Sequence, residues 1–167
     1  MKKIYLFIVS AVLLAVPALA AEPELMRDLG VWQVYRTTEG SNALCFMLAE
    51  PQLSEGAYKK RDTVYAMLAY RPAEKGETFS FIAGYNFKDW SKIDLIIDSQ
   101  EFKLIAKGDT GWAANKTDDQ AIAKAMAQGS KMTVKGVSAR GTATTDVFSL
   151  KNTGNAQNMM RKNCDNS

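Results

Sequence analysis

Short apolar runs alternate with turn residues along most of the chain. VWQVYR (31–36), ALCFMLA (43–49), TVYAMLAY (63–70) and TFSFIAG (78–84) are rich in β-branched and aromatic side chains, the composition of strands that lay one face on a core. Glu39-Gly40-Ser41-Asn42, Glu55-Gly56 and the stretch from Pro72 to Gly76 separate them, and each has the chemistry of a chain reversal. Ile93, Leu95 and Ile97 then alternate with Asp94 and Asp98, and Phe102, Leu104 and Ala106 alternate with Glu101, Lys103 and Lys107. A period of two on both sides of a tight connection at Ser99-Gln100 predicts a hairpin. GWAAN (111–115), KMTVKGV (131–137) and TATTDVFSL (142–150) extend the series, with Ser138 to Gly141 as a turn. The hydroxyl-rich stretch containing Arg140 and Asp146 therefore reads as a turn feeding an ordinary strand, not as a catalytic loop. In that last strand Phe148 and Leu150 share a face with Thr144 and Asp146, so alternation leaves open which side is buried.

Two helices interrupt the strands. Thr117 with Gln120 three positions on fits a capping box, and Asp118 and Asp119 suit the positive end of a helix dipole. Ile122, Ala125 and Met126 then share one face, and Gly129 can end the helix. Asp118-Asp119 is better read as helix-start charge than as a metal site, because calcium loops spread several oxygen ligands over a longer segment. Asn155 to Asn163 forms a short terminal helix that carries Met159 and Met160 inward and presents Cys164. About nine or ten short strands with two small helices predict an all-β sandwich or barrel.

The chain's start changes the picture of where it works. Lys2 and Lys3, an apolar run from Ile4 to Val16, Pro17 and then Ala18-Leu19-Ala20 have the layout of a secretory signal peptide cleaved between Ala20 and Ala21. The run is too short for a membrane anchor, which needs roughly 20 apolar residues, and no other stretch is long and apolar enough to span. Residues 21–28 are then a polar leader and residues 29–167 a single domain. Removing the signal peptide takes away two of the 21 basic residues and none of the 18 acidic ones. The near-neutral remainder gives no electrostatic reason to expect nucleic acid as a partner. Cys45 and Cys164 are an even pair in a chain bound for an oxidising compartment, so a disulfide is favoured over free thiols. A loop of that size is worth about 4–5 kcal/mol in the chain-entropy account.

Chemistry is hard to find. The chain has no histidine, which removes Ser-His-Asp and Cys-His catalysis and imidazole ligation of a metal. With both cysteines oxidised, an ordinary zinc site has no ligands, and no P-loop or dinucleotide fingerprint is present to hold a cofactor. Asp89, Asp94, Asp98 and Asp146 lie on or beside strands and are the candidates for a carboxylate pair, although a solvated strand face explains them as well. GYNFKDW (84–90) gathers Tyr85, Phe87 and Trp90 around Lys88 and Asp89. Such a cluster grips sugars or protein surfaces when exposed, and folds under a loop as core when it is not. The run Tyr58-Lys59-Lys60-Arg61 either touches an anionic envelope component or is a solvated loop guarding a strand edge.

LGVWQVY (29–35), ALCFMLAEPQ (43–52), KMTVKGVSARGTATTDVFSL (131–150) and the terminal Cys164 together resemble the invasion-associated locus B family of alphaproteobacterial envelope proteins. The resemblance runs from about Leu29 to Cys164, and Lys131 to Leu150 is its most specific part. Many relatives follow the last strand with Ser-Gly-Phe, where this chain has Lys151-Asn152-Thr153-Gly154, which bears on how the last helix docks. The resemblance implies a periplasmic or secreted β-sandwich of immunoglobulin-like architecture with Cys45 bridged to Cys164, no enzyme activity and no cofactor. The expectation is thus a non-enzymatic envelope protein that binds an envelope or host protein or a surface glycan, with Tyr85, Phe87, Lys88 and Trp90 as the contact. A carboxylate-dependent hydrolase of envelope polymers, or a structural, chaperone-like protein offering sheet edges, are the alternatives.

Overall fold

The structure, a computed structural model, describes residues 22–165; the expected signal peptide and its cleavage site lie outside the described residues. Eleven strands are present among these: β1 (Glu24–Asp28), β2 (Gln33–Glu39), β3 (Asn42–Ala49), β4 (Leu53–Gly56), β5 (Tyr65–Arg71), β6 (Gly76–Ile82), β7 (Lys92–Ile97), β8 (Gln100–Lys107), β9 (Thr110–Ala113), β10 (Lys131–Val137) and β11 (Ala143–Ser149). Helix α1 (Lys116–Gln128) precedes β10, and α2 (Thr153–Asp165) follows β11. Every strand pair is antiparallel, in the order β1-β2-β3-β5-β6-β9-β8-β7-β10-β11-β4.

That order explains how the strands make a sandwich. β3 lies within one half of the sheet, yet β4, which follows it after Glu50-Pro51-Gln52, pairs with β11 at the far edge. A three-residue connection joins the two halves only if the sheet doubles over on itself. Trp32, fully buried at the entry to β2, closes the same seam by donating its indole N–H to the Ser149 carbonyl at 3.0 Å. The fold is the expected all-β sandwich with peripheral helices, and its two layers remain hydrogen-bonded to each other through β9.

The inner face carries the residues that the period of two selects. Val34, Met47, Leu68, Phe79, Phe81, Ile93, Leu95, Ile97, Leu104, Met132, Val134 and Phe148 are all inaccessible to solvent. Thr144 and Asp146 lie on this buried face with Phe148, which settles the orientation that sequence left open. Two strands were not visible in the pattern. Glu24–Asp28 reads as a polar leader but pairs along β2, and Leu53–Gly56 reads partly as a turn but pairs along β11. Both are edge strands with mostly exposed side chains, so hydrophobic alternation has nothing to report.

The helices cap one end of the sandwich. The N-cap of α1 is Asn115, not Thr117: its side chain accepts the Asp118 N–H at 3.0 Å and donates back to the Asp118 carboxylate at 2.9 Å. The cap thus lies two residues before the expected one, and the Asp118 carboxylate returns a bond to the Asn115 side chain instead of to its backbone N–H as in a capping box. Asp119, one turn in, accepts the Phe79 N–H at 2.8 Å and so ties α1 to β6. Gly129 ends the helix because space is lacking there: a Cβ would lie 2.9 Å from the Ala125 carbonyl oxygen and 2.9 Å from Ile97 Cγ2. α2 begins two residues earlier than expected, at Thr153. Its Gly154 lets the helix approach the Ala127 carbonyl, and Gln157 donates to the Ala123 carbonyl at 2.8 Å. Met160 is buried and Met159 is half-buried. Cys164 bridges to Cys45 on β3 with the two Cα atoms 5.7 Å apart, closing 119 residues of chain.

Candidate functional site

The opposite end of the sandwich is closed by polar side chains. β6 and β10 run away from the helices, and β11 and the turn before it return, so Ala83, Tyr85, Gly136, Thr144 and Asp146 gather at the far end. Arg61, in the connection between β4 and β5, turns its side chain inward there. Its Nη1 and Nη2 donate to the two Asp146 oxygens at 2.8 and 2.7 Å, and its Nε donates to the Ala83 carbonyl at 2.7 Å. Ser54 Oγ on β4 donates to Asp146 Oδ1 at 2.7 Å. The pair is nearly dry, with side chains 4% and 0% exposed. Burial alone would lower the Arg61 pKa, but the Asp146 hydrogen bonds and charge, with a smaller contribution from the Tyr58 hydroxyl as acceptor, leave it above the ordinary value. A fork-to-fork contact with the Nε donor also satisfied is the kind of geometry in which a buried ion pair is tolerated.

Aromatic rings complete this framework. The Arg61 guanidinium lies 5.4 Å from the Tyr58 ring centroid and 4.9 Å from that of Tyr85, within cation–π reach of both. Tyr85 packs edge-on against Phe87 at 4.9 Å and shares a 2.7 Å hydrogen bond with Thr144 Oγ1. Burial pushes the Tyr85 phenol up, against the opposing effects of the Thr144 bond and the Arg61 charge. Two glycines make room for the arrangement. A Cβ on Gly136 would lie 2.7 Å from Tyr85 Oη and 2.8 Å from Phe87 Cε1. Gly84, at φ +68, presses against the backbone of Asp62 and accepts its N–H at 3.1 Å, a conformation that L side chains rarely adopt. The Arg61 segment and the 84–91 loop are thereby held together.

Above this floor opens a cleft of about 550 Å³, bordered by Tyr58, Lys59, Lys60, Asn86, Arg140 and Thr142. The 84–91 loop that forms one wall divides its aromatic residues among three environments. Tyr85 is half-buried against Arg61, Phe87 is core, and Trp90 is 74% exposed. Lys88 is exposed as well. The four residues expected to make one contact patch are thus not a single surface: Phe87 anchors the loop, Tyr85 faces the cleft, and Lys88 and Trp90 face outward.

The candidate carboxylates are likewise not brought together. Asp146 faces inward and is bonded to Arg61, while Asp94 on β7 faces outward and pairs with Lys103. Asp98 accepts the Ser130 and Lys131 N–H groups at 3.0 and 3.1 Å, and Asp89 accepts that of Gly108 at 3.0 Å. Among the described residues no group of three or more His, Cys, Asp or Glu side chains is placed to hold a metal ion. No helix among them is long and apolar enough to cross a membrane.

A family model described as "Invasion associated locus B (IalB) protein" matches residues 32–161. The chain belongs to that family. The match opens at Trp32, whose indole closes the sandwich seam, and it takes in Arg61, Asp146 and the whole cleft; Cys164 falls just beyond it. No curated protein matches the chain, and no solved structure does. Sequence reasoning within the IalB family pattern missed the Arg61–Asp146 pair. Its signal was an Arg in a basic run and an Asp on the apolar face of β11, 85 residues apart.

Proposed function

We propose that this IalB-family protein is an exported, non-enzymatic envelope module that binds another protein or a surface glycan through its 84–91 loop. Trp90 carries the reading. It is a large aromatic, 74% exposed, at φ +65, a backbone region that is uncommon for bulky residues and is kept only where the surroundings dictate it. Here they do. The Trp90 N–H donates to the Ala106 carbonyl at 2.8 Å, the Ser91 N–H donates to the Lys88 carbonyl at 3.0 Å, and buried Phe87 nails the loop to the core. An aromatic side chain with only two rotatable bonds, carried on a fixed stretch of backbone, loses little entropy on contact, which is why such residues dominate interface energies. Periplasmic or secreted location accords with the disulfide and the family, and the family's name extends the candidate partners to host surfaces. The candidate carboxylates all serve structural hydrogen bonds or ion pairs, which supports binding over hydrolysis. Co-purification from intact envelope tests the reading. Trp90→Ala is expected to lose partners that the unaltered protein retains; an unchanged set of partners contradicts the assignment.

A further inference from the structure

The cleft beside Arg61 has a chemistry of its own. Lys59, Lys60 and Arg140 border it with exposed side chains, and among the described residues none of the three forms an ion pair. No acidic side chain lines it; Asp146, behind the floor, is already bonded to Arg61 and Ser54. The chain as a whole carries a formal charge of only +3. The positive field is therefore local and sits in a concavity, where low-dielectric walls focus it.

The Arg140 side of the cleft is also held in place before any ligand arrives. The Arg140 turn is closed by Ser138 N–H to the Thr142 carbonyl at 2.9 Å and Gly141 N–H to the Ser138 carbonyl at 2.8 Å. The Ala139 N–H donates to the Asn86 carbonyl at 2.8 Å, locking that turn to the neighbouring 84–91 loop. What remains of the lining mixes the Asn86 amide and the Ser138, Thr142 and Thr144 hydroxyls with the Tyr58 and Tyr85 rings and two alanines. A hydroxylated ring finds polar partners at its edge and aromatic faces to lie on.

The geometry points to a binding site for an acidic sugar, whose carboxylate or phosphate sits among Lys59, Lys60 and Arg140 while its ring lies on the Tyr58 side of the cleft. The inference rests on the reading of the protein as a binding module, but it uses different residues from the Trp90 contact. Titration calorimetry of the full disulfide-bonded protein tests it with trigalacturonate, glucose 6-phosphate, neutral maltotriose and a hexaglutamate peptide. At least one acidic sugar is expected to bind about ten-fold or more tightly than maltotriose and hexaglutamate, and to weaken as salt rises through the range that screens exposed charges. Which acidic sugar is preferred identifies the source of the anion. Lys60→Glu/Arg140→Glu is expected to remove the binding with an unchanged melting temperature, since both side chains are exposed, and Trp90→Ala is expected to leave it intact. Equal binding of the neutral sugar, tighter binding of hexaglutamate, no binding of either acidic sugar, or indifference to the charge reversal each overturns the inference. Any of these outcomes leaves the Trp90 co-purification result standing, and loss of the Trp90 contact leaves the titration standing.

Discussion

The two ends of the sandwich are closed by opposite means. At one end, α1 and α2 lay Ile122, Met126, Ala156 and Met160 over the sheet, and a disulfide fastens the last turn of α2 to β3. At the other, an ion pair, the Ser54 and Thr144 hydroxyls and two tyrosines fill the space that apolar side chains fill elsewhere. Apolar packing with a covalent lock gives stability. A satisfied polar network fixes side-chain directions more sharply and leaves donors and charges at the rim, at the expense of desolvating two ions. The difference gives the helix end the means to hold the fold and leaves the charged and aromatic groups of the cleft at the polar end.

Breaking the helix end has the largest expected effect. Cys45→Ser/Cys164→Ser releases a loop of 119 residues and should cost about 4–5 kcal/mol in denaturant unfolding, as the chain-entropy account gives for loops of this scale. Asp146→Ala follows closely. It leaves the buried Arg61 guanidinium without its counter-ion, and truncating one partner of such a pair costs about 3–5 kcal/mol. Loss of the disulfide should leave the residual affinity of the polar end unchanged at temperatures where the protein stays folded, whereas Asp146→Ala should disturb it. If both substitutions lowered stability and left binding alike, the division between the ends would fail.

A smaller effect sharpens the comparison through pH. Burial raises the pKa of Asp119 against the opposing Phe79 N–H bond, and raises that of Glu77 against the 2.7 Å contact with Arg161. The native state then holds these protons more tightly than the unfolded one. The stability they contribute is complete below the unfolded carboxylate range and is lost as pH rises through their raised folded values. Asp119→Asn keeps the acceptor for Phe79 without the charge and should flatten the decline in unfolding midpoint between acid and neutral pH. Asp119→Ala orphans the buried Phe79 N–H and should cost about 1–3 kcal/mol at any pH. The smallest effect belongs to Trp90→Ala, which touches only exposed surface and should shift stability by less than about 0.5 kcal/mol. A large loss of stability there would mean that the indole serves the fold.

How much of this was legible in the sequence follows the same division. The helix end announces itself through Ile122, Ala125 and Met126 at helical spacing, two cysteines and a glycine stop, and the β-strands of both layers through their period of two. The exposed edge strands β1 and β4 carry no such signal, and the α1 cap moved because Asn115 competes with Thr117 for the same role. The polar end was the least visible. Arg61 reads as one more charge in a basic run, and nothing local shows that a loop cation and a strand carboxylate 85 residues later meet inside. The loop 84–91 was found as an aromatic cluster, but the division into anchor, cleft wall and exposed tip is decided by tertiary contacts: Phe87 bridging to Ser138 and Tyr85 bonding to Thr144.

The account depends most on the Arg61–Asp146 pair as the framework of the polar end, and a double-mutant cycle measured by equilibrium unfolding tests it directly. Arg61→Met and Asp146→Leu should each cost about 3–5 kcal/mol alone, while the double substitution should cost far less than their sum, because two apolar side chains of similar volume replace a desolvated ion pair. Single costs below about 1 kcal/mol, or costs that simply add, would contradict a buried, mutually dependent pair.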